Sequence, residues 1–315
     1  MSAVLTVKNL AVDFYAKGAI VNSPLRGIDF DIDSGKTLGI VGETGCGKTL
    51  SALAIMGLLP ENAVQTGEIS LSGVGKLSSA SMKSVRGKEI SMIFQNPHSA
   101  LNPTFSIRDQ LKYVAQSCEI QKSEIESTSR EGLHSVGLRD VDRILNSYPH
   151  ELSGGMLQRC MIAMSLLSKP KLLIADEPTT ALDATVGRQV LDLLLSLQAQ
   201  NGFAMLFISH DVGAVSHVAD QISVLYAGKV VENGPSSSLL DSPRHPYTRG
   251  LFGAVPSVKV PRGELVAIPG AVPLVTLGIS GCAFSTRCTL SDGACDMVPP
   301  SVEVHGHRVA CWKVS

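Results

Sequence analysis

The sequence predicts an α/β fold built on a largely parallel sheet. Three observations carry that expectation. Short apolar runs alternate with longer helical patterns, one run leads into a glycine-rich turn that opens a helix, and another ends in two adjacent carboxylates.

The elements follow in chain order. Residues 37–41 are apolar and feed the glycine-rich turn, and 49–59 follows as a helix. Further strands are expected at 90–94, 172–175, 205–208 and 222–226, each short, apolar and bounded by polar or turn residues. Between Pro103 and Leu167 the pattern changes to helices with polar faces, over a span too long for a simple crossover between strands. An inserted helical subdomain is therefore expected at about 100–165. After Gly234 the chain becomes rich in Pro, Gly and Ser with weak periodicity, which marks a small module at 236–315 after a first domain at 1–235.

With 315 residues, 44% of them hydrophobic, the chain can bury a large core. Its net charge of −1 and lack of long like-charged runs speak against nucleic acid as a partner. The first ten residues lack the pattern of a secretory signal, so a cytosolic chain is expected. No segment reaches the roughly 18 consecutive apolar residues of a membrane span, so membrane contact is expected to pass through a partner.

Gly42-Glu43-Thr44-Gly45-Cys46-Gly47-Lys48-Thr49 matches the phosphate-binding loop G-x-x-x-x-G-K-[ST], between a strand and a helix. The glycines let successive backbone N–H groups curl around a phosphate, and the helix directs its positive end at the same anion. Lys48 adds charge at the β- and γ-phosphates, and Thr49 can ligate Mg²⁺. The apolar run 172–175 ends in Asp176 and Glu177, at the sheet edge where α/β proteins place ligands. Asp176 is suited to hold Mg²⁺ through water and Glu177 to orient or deprotonate the attacking water; taken alone, the pair could equally cap the next helix. Leu152-Ser153-Gly154-Gly155-Met156 opens a helix with a hydroxyl and free N–H groups, suited either to a γ-phosphate or to ordinary helix capping. Since the chain already has one phosphate loop, a second cradle implies a partner's nucleotide. Cys46, beside Lys48 and a helix start, is either a stabilised thiolate or a small residue tolerated in the loop.

On these residues the sequence resembles the ATP-binding subunits of ABC transporters over about residues 4 to 235. Gly42 to Thr49 is similar to the Walker A loop, Gln95 to the Q-loop glutamine, Leu152 to Met156 to the signature, and Asp176 with Glu177 to the end of Walker B. Asp183 in Ala181-Leu182-Asp183 is similar to the D-loop residue and His210 to the switch histidine. The resemblance implies a P-loop cassette: a RecA-like core, an antiparallel β subdomain and an inserted helical subdomain. It implies ATP and Mg²⁺ as ligands, with Thr49, Gln95 and Asp176 around the ion and Lys48, Gln95, Glu177 and His210 in catalysis. Phe14, or the adjacent Tyr15, falls where the family stacks an aromatic ring on adenine, and a core aromatic remains the alternative. Met156 departs from the glutamine usual at the end of the signature. The family pairs two cassettes head to tail, so Ser153, Gly154 and Gly155 face the nucleotide of a second ABC ATPase subunit, and Asp183 counts by resemblance among the nucleotide-site residues. Two integral membrane permeases and, indirectly, an extracytoplasmic substrate-binding protein complete the implied assembly, at the cytoplasmic face of the membrane.

The stretches Asn96-Pro97-His98-Ser99-Ala100-Leu101-Asn102-Pro103 and His245-Pro246-Tyr247-Thr248-Arg249-Gly250-Leu251 look like segments of the peptide and nickel importer ATPases. The tail, with Cys282, Cys288, Cys295 and Cys311, is similar to that of the oligopeptide and dipeptide importers. Four thiolates can close a Zn²⁺ site or hold an iron–sulfur cluster. Intervals of five, six and fifteen residues lack the C-x₂-C knuckles usual for zinc and, with the resemblance, favour a [4Fe–4S] cluster; His305 and His307 could substitute in a zinc site. The expected function is peptide import, with nickel or metal-chelate import as the alternative. A soluble ABC-type ATPase without a membrane partner is the third reading, and such proteins usually carry tandem cassettes or a coiled-coil insert, which this chain lacks.

Overall fold

The computed structural model describes residues 3–253, 268–273 and 277–314. Its strands are β1 (Ala3–Ala16), β2 (Ala19–Asp33), β3 (Thr37–Val41), β4 (Ala63–Leu71), β5 (Gly75–Lys76) and β6 (Ile90–Ile93). They continue with β7 (Leu172–Asp176), β8 (Ala204–Ser209), β9 (Gln221–Tyr226), β10 (Lys229–Pro235), β11 (Ser301–Val304) and β12 (His307–Ala310). The helices are α1 (Lys48–Ile55), α2 (Ser79–Val85), α3 (Pro97–Ala100), α4 (Ile107–Ser117), α5 (Ile125–Ser135) and α6 (Val141–Asn146). After them come α7 (Gly154–Leu166), α8 (Ala184–Asn201), α9 (Val212–Val218), α10 (Ser236–Asp241) and α11 (Pro246–Gly253). Each expected strand is present within about a residue of its expected ends, whereas α1 stops at Ile55, where Met56 caps it and Gly57 turns with φ 61°, so the helix expected to reach residue 59 is shorter.

Two compact units can be distinguished. The first comprises Met1–Val4, Ile32–Lys36 and Ser78–Phe207. Its strands β6 and β7 run parallel, with Ile90 opposite Leu172 and Ile93 opposite Ala175, and every residue in both is buried. Burial on both faces explains why neither strand alternates apolar with polar residues. Helices α4 to α7 pack on one another, and α4 shows how the sequence does this: Ser106 caps it by accepting from the Asp109 N–H, while Ile107, Leu111 and Ala115 recur every four residues on its buried face. That spacing puts all three on one stripe, and burying each large aliphatic contributes about 1.5–3 kcal/mol.

The second unit comprises Leu5–Asp31, Thr37–Leu77 and Ile208–Ser315. It holds an antiparallel sheet in the order β2-β1-β4-β5 and a run of strands in the order β11-β12-β10-β9-β3. Strand β3 is parallel to β9, while β9, β10, β12 and β11 are successively antiparallel. The hairpin β11–β12 thus joins the tail to the strand that ends the first 235 residues, with Glu232 opposite Val309. The weak apolar periodicity of the tail gave no sign of it. Residues 254–267 and 274–276 of the 236–315 module lie outside the described residues.

Candidate functional site

In the second unit, β3 is buried throughout and delivers the chain into the glycine loop. Gly47 caps α1 with φ 106°, a left-handed backbone, and a Cβ there would lie 2.7 Å from Leu25 and 2.8 Å from the Pro24 carbonyl. Only glycine fits that corner. No side chain caps α1, which leaves its start suited to an anion. Lys48 is buried and donates to the carbonyls of Gly42 (2.7 Å) and Glu43 (3.0 Å), so its ammonium is held over the loop. Cys46 is buried, with Sγ 3.9 Å from Lys48 Nζ. Burial pushes its thiol pKa up, against the opposing pull of Lys48. Of the two readings of Cys46, this favours the small residue tolerated in the loop, because desolvation outweighs the lysine charge. Alkylation of Cys46 by iodoacetamide should be slow at pH 7.5 and unchanged by ATP, as read by peptide mass mapping.

Phe14 and Tyr15 are adjacent on β1, both half-buried, and successive strand residues point to opposite faces, so only one of them can meet a given ligand. His210 directly follows β8 and is exposed; Asp211 beside it caps α9 through Gly213 N–H (2.8 Å) and Ala214 N–H (3.2 Å).

In the first unit, the register of β6 on β7 carries Gln95 and Glu177 out at the same end of the strands. Gln95 Nε2 donates to Glu177 Oε2 at 3.0 Å, and the Thr180 hydroxyl donates to the same oxygen at 2.8 Å. Glu177 has φ 47°, the left-handed backbone that a non-glycine residue adopts at a cost of order 1–3 kcal/mol. Strain at a carboxylate ending a strand is a frequent mark of a reacting group. Asp176, the preceding residue, is buried.

Ser153 is exposed and caps α7, its hydroxyl accepting from the Met156 N–H at 3.4 Å. The capping geometry expected of an ordinary helix start is therefore present, and it leaves the hydroxyl hydrogen available. Gly155 is required by packing as well: a Cβ there would lie 2.9 Å from Val186 Cγ1 on α8. Asp183 caps α8, accepting from the N–H groups of Thr185 and Val186 at 3.0 Å.

Cys282, Cys288, Cys295 and Cys311 all lie in the second unit, and the Cys282 N–H donates to the Cys295 carbonyl at 2.9 Å. Burial raises the Cys311 thiol, and the charges of Cys282, Cys288 and Cys295 add to that rise, so the four lie within electrostatic reach of one another. Among the described residues no three His, Cys, Asp or Glu side chains are arranged to hold a metal ion. His307, a possible zinc ligand by sequence, is otherwise engaged: Nδ1 meets Glu232 at 2.9 Å and Nε2 meets the Ser238 hydroxyl at 2.7 Å.

The His-Pro-Tyr stretch proves to be an anchor. Glu232 is fully buried and accepts from the N–H groups of Arg244 and His245, both at 2.8 Å. His245 Nδ1 accepts from the Tyr247 N–H at 3.0 Å, which requires the neutral ring. Burial lowers its pKa from 6.5 to about 4, partly offset by Glu232. A depressed histidine pKa means the unfolded chain takes up the proton first, so this contribution is full above pH 6.5 and is lost as pH falls toward 4. The loss should be about 3 kcal/mol. Melting temperature measured from pH 7 to 4.5 should fall steeply, and less steeply for His245→Asn. Tyr247 and Arg287 both touch Glu43, and nothing local in the sequence signals either contact.

Among the described residues no helix is long and apolar enough to cross a membrane. Residues 25–180 match the family model described as ABC transporter, and residues 231–295 match the one described as oligopeptide/dipeptide transporter, C-terminal region. The chain is 42% identical to a probable peptide ABC transporter ATP-binding protein of Sinorhizobium fredii, over 98% of this chain and 95% of that one. It is also 42% identical to the dipeptide transport ATP-binding protein DppD of Bacillus subtilis, over 99% and 95% of the two chains. Among solved structures it is similar to CbiO1 of Clostridium perfringens, part of an ABC transporter complex, with 25% identity, TM-score 0.65 and coverage of 77% and 92%. The ATP-binding cassette MJ0796, in a post-hydrolysis dimer with ADP and Pi, shares the fold with TM-score 0.63 at 24% identity, over 74% and 98%. On the two family matches and 42% identity along nearly its whole length, the chain belongs to the ABC transporter ATP-binding proteins, in their oligopeptide/dipeptide group.

Proposed function

We propose that this chain hydrolyses ATP to power import of di- and oligopeptides through a membrane transporter. The observation that carries the reading is the full-length similarity to peptide ATP-binding proteins together with the C-terminal region at 231–295, which favours peptides over nickel. Residues 1–235 act as the cassette, with the helical insert at about 100–165, and 236–315 as the C-terminal module.

Each residue's role follows from its chemistry. Gly42, Thr44, Gly45, Cys46 and Gly47 present backbone N–H groups to phosphate while Glu43, whose own N–H is held by Tyr247, shapes the loop between them; Lys48 neutralises the phosphate charge, and Phe14 or Tyr15 stacks on the base. Glu177, aimed by Gln95 and Thr180, takes the proton from water, and His210 hydrogen-bonds the γ-phosphate. Thr49, Gln95 and Asp176 offer only hard oxygen donors, which suits Mg²⁺; when bound, the ion neutralises phosphate charge. Ser153, Gly154, Gly155 and Asp183 serve the nucleotide of a second, related ATPase subunit, an exposed position for Ser153 being what that requires. Two permease subunits hold the chain peripherally at the cytoplasmic face, and a substrate-binding protein supplies the peptide from the other side. Exposed Phe94, Phe105 and Tyr113, the last two in edge contact at 5.6 Å, support a protein partner beside the 96–103 segment.

The four tail thiols are not arranged as a ligand set in this structure, but they lie within electrostatic reach of one another and are soft donors of the kind a [4Fe–4S] cluster takes; we assign them that role, which would tie the tail together. Two measurements test the whole reading. Affinity purification from membranes should retain integral membrane subunits, and anaerobic preparations should contain about four iron and four sulfide per chain. A chain recovered alone would contradict the first assignment, and a colourless protein with stoichiometric zinc the second.

A further inference from the structure

Arg287 lies between the cysteines of the tail, next to Cys288, yet its side chain reaches the phosphate loop. Its NH1 and NH2 donate to the two oxygens of Glu43 at 2.6 and 3.0 Å, a two-pronged pair across 244 residues of sequence. Its Nε donates to the Pro269 carbonyl (2.7 Å), NH2 also to the Gly270 carbonyl (3.3 Å) and NH1 also to the Tyr226 hydroxyl (3.4 Å). All five guanidinium donors are thereby assigned. The side chain is 4% exposed, and its carbon sits 5.7 Å and 5.9 Å from the ring centres of Tyr226 and Phe284. A guanidinium so fully engaged has no donor left for a ligand.

Glu43 is the second residue of the loop, and three of its groups are fixed. Its carboxylate meets Arg287, its N–H donates to the buried Tyr247 hydroxyl at 2.9 Å, and its carbonyl accepts from Lys48 Nζ at 3.0 Å. Two of those partners come from the 236–315 module; the third is the lysine of the loop itself. Tyr247 is in turn packed against Tyr226 and Phe284, with ring centres 4.6 and 5.5 Å away. A loop that binds phosphate through backbone N–H groups works only when those groups are pre-aimed, since ordering them at binding would consume affinity.

We infer that the C-terminal module is a positioning element for the phosphate loop, with Arg287 as the residue that sets it by holding Glu43. The inference rests on the phosphate-loop assignment and does not depend on what the cysteines hold. It is specific in two respects. The guanidinium acts through Glu43 and not on nucleotide, and loss of either partner should loosen the same loop. A two-pronged pair is also not replaceable by a point charge.

The test is titration of the full chain with a fluorescent N-methylanthraniloyl ATP analogue and Mg²⁺, with the melting temperature measured alongside. Arg287→Ala and Glu43→Gln should each weaken binding about tenfold, Arg287→Lys should fall between them and the parent, and the double variant should be no weaker than the poorer single one. Where Arg287→Ala does not yield folded protein, Glu43→Gln and Arg287→Lys carry the same comparison. Affinities within twofold of the parent for these variants, or fully additive losses in the double variant, would overturn the inference. So would a drop in melting temperature with unchanged affinity, which marks a purely structural contact. Lys48→Ala serves as the control: if it binds like the parent, the loop assignment itself has failed, whereas loss in Lys48→Ala with none in Arg287→Ala refutes only the positioning role.

Discussion

Glu177→Gln should leave ATP binding intact and lower turnover by about 10²- to 10⁴-fold, the range expected for removal of a general base. The amide keeps the size of the carboxylate and can still accept from Gln95 and Thr180, whose bonds to Oε2 are 3.0 and 2.8 Å, so the local geometry should survive. What it loses is the ability to take a proton from water. On the proposed pairing with a second ATPase subunit, with ATP favouring the closed pair and hydrolysis reopening it, a variant that binds without turning over should accumulate closed dimers. Steady-state phosphate release and size-exclusion chromatography with ATP check both halves. Parental turnover would remove Glu177 from the catalytic role.

The largest stability effect is expected at Glu232. Its buried carboxylate accepts from two backbone N–H groups and faces the His307 ring, tying β10 at once to β12 and to the 244–245 segment that leads into α11. Glu232→Ala leaves these donors buried without an acceptor, at a cost of about 3–5 kcal/mol. Urea unfolding should show the loss, and limited proteolysis should cut first in the tail. Glu232→Gln, which keeps one acceptor oxygen, should be milder. A cost below about 1 kcal/mol for the alanine variant would mean that water replaces the lost oxygens.

The contrast between these two residues explains what could be read from sequence. Glu177, Lys48 and Ser153 sit in short motifs whose spacing is fixed by one turn of chain, so local pattern exposes them. The buried strands β3, β6, β7, β8 and β9 are continuous apolar runs and were equally legible. The long strands β1 and β2 were not, since β1 carries a register shift between Lys8 and Ala11 and its residues alternate irregularly between buried and half-buried. The partners of Glu43 and Glu232 are set by tertiary contacts across 244 and 75 residues, which no periodicity encodes. The alternative left open at Cys46 has a different origin. Sequence supplied the neighbouring lysine but not the burial that overrules it.

The most direct test of the central claim is reconstitution of the chain with its co-purified membrane subunits and second ATPase. Vesicles would enclose Mg-ATP, with the substrate-binding protein and a labelled dipeptide outside. ATP-dependent accumulation of the dipeptide, abolished when Glu177→Gln replaces this chain, is the predicted result. Equal accumulation with the parent and the variant, or ATP hydrolysis with no peptide uptake under any condition, would contradict it.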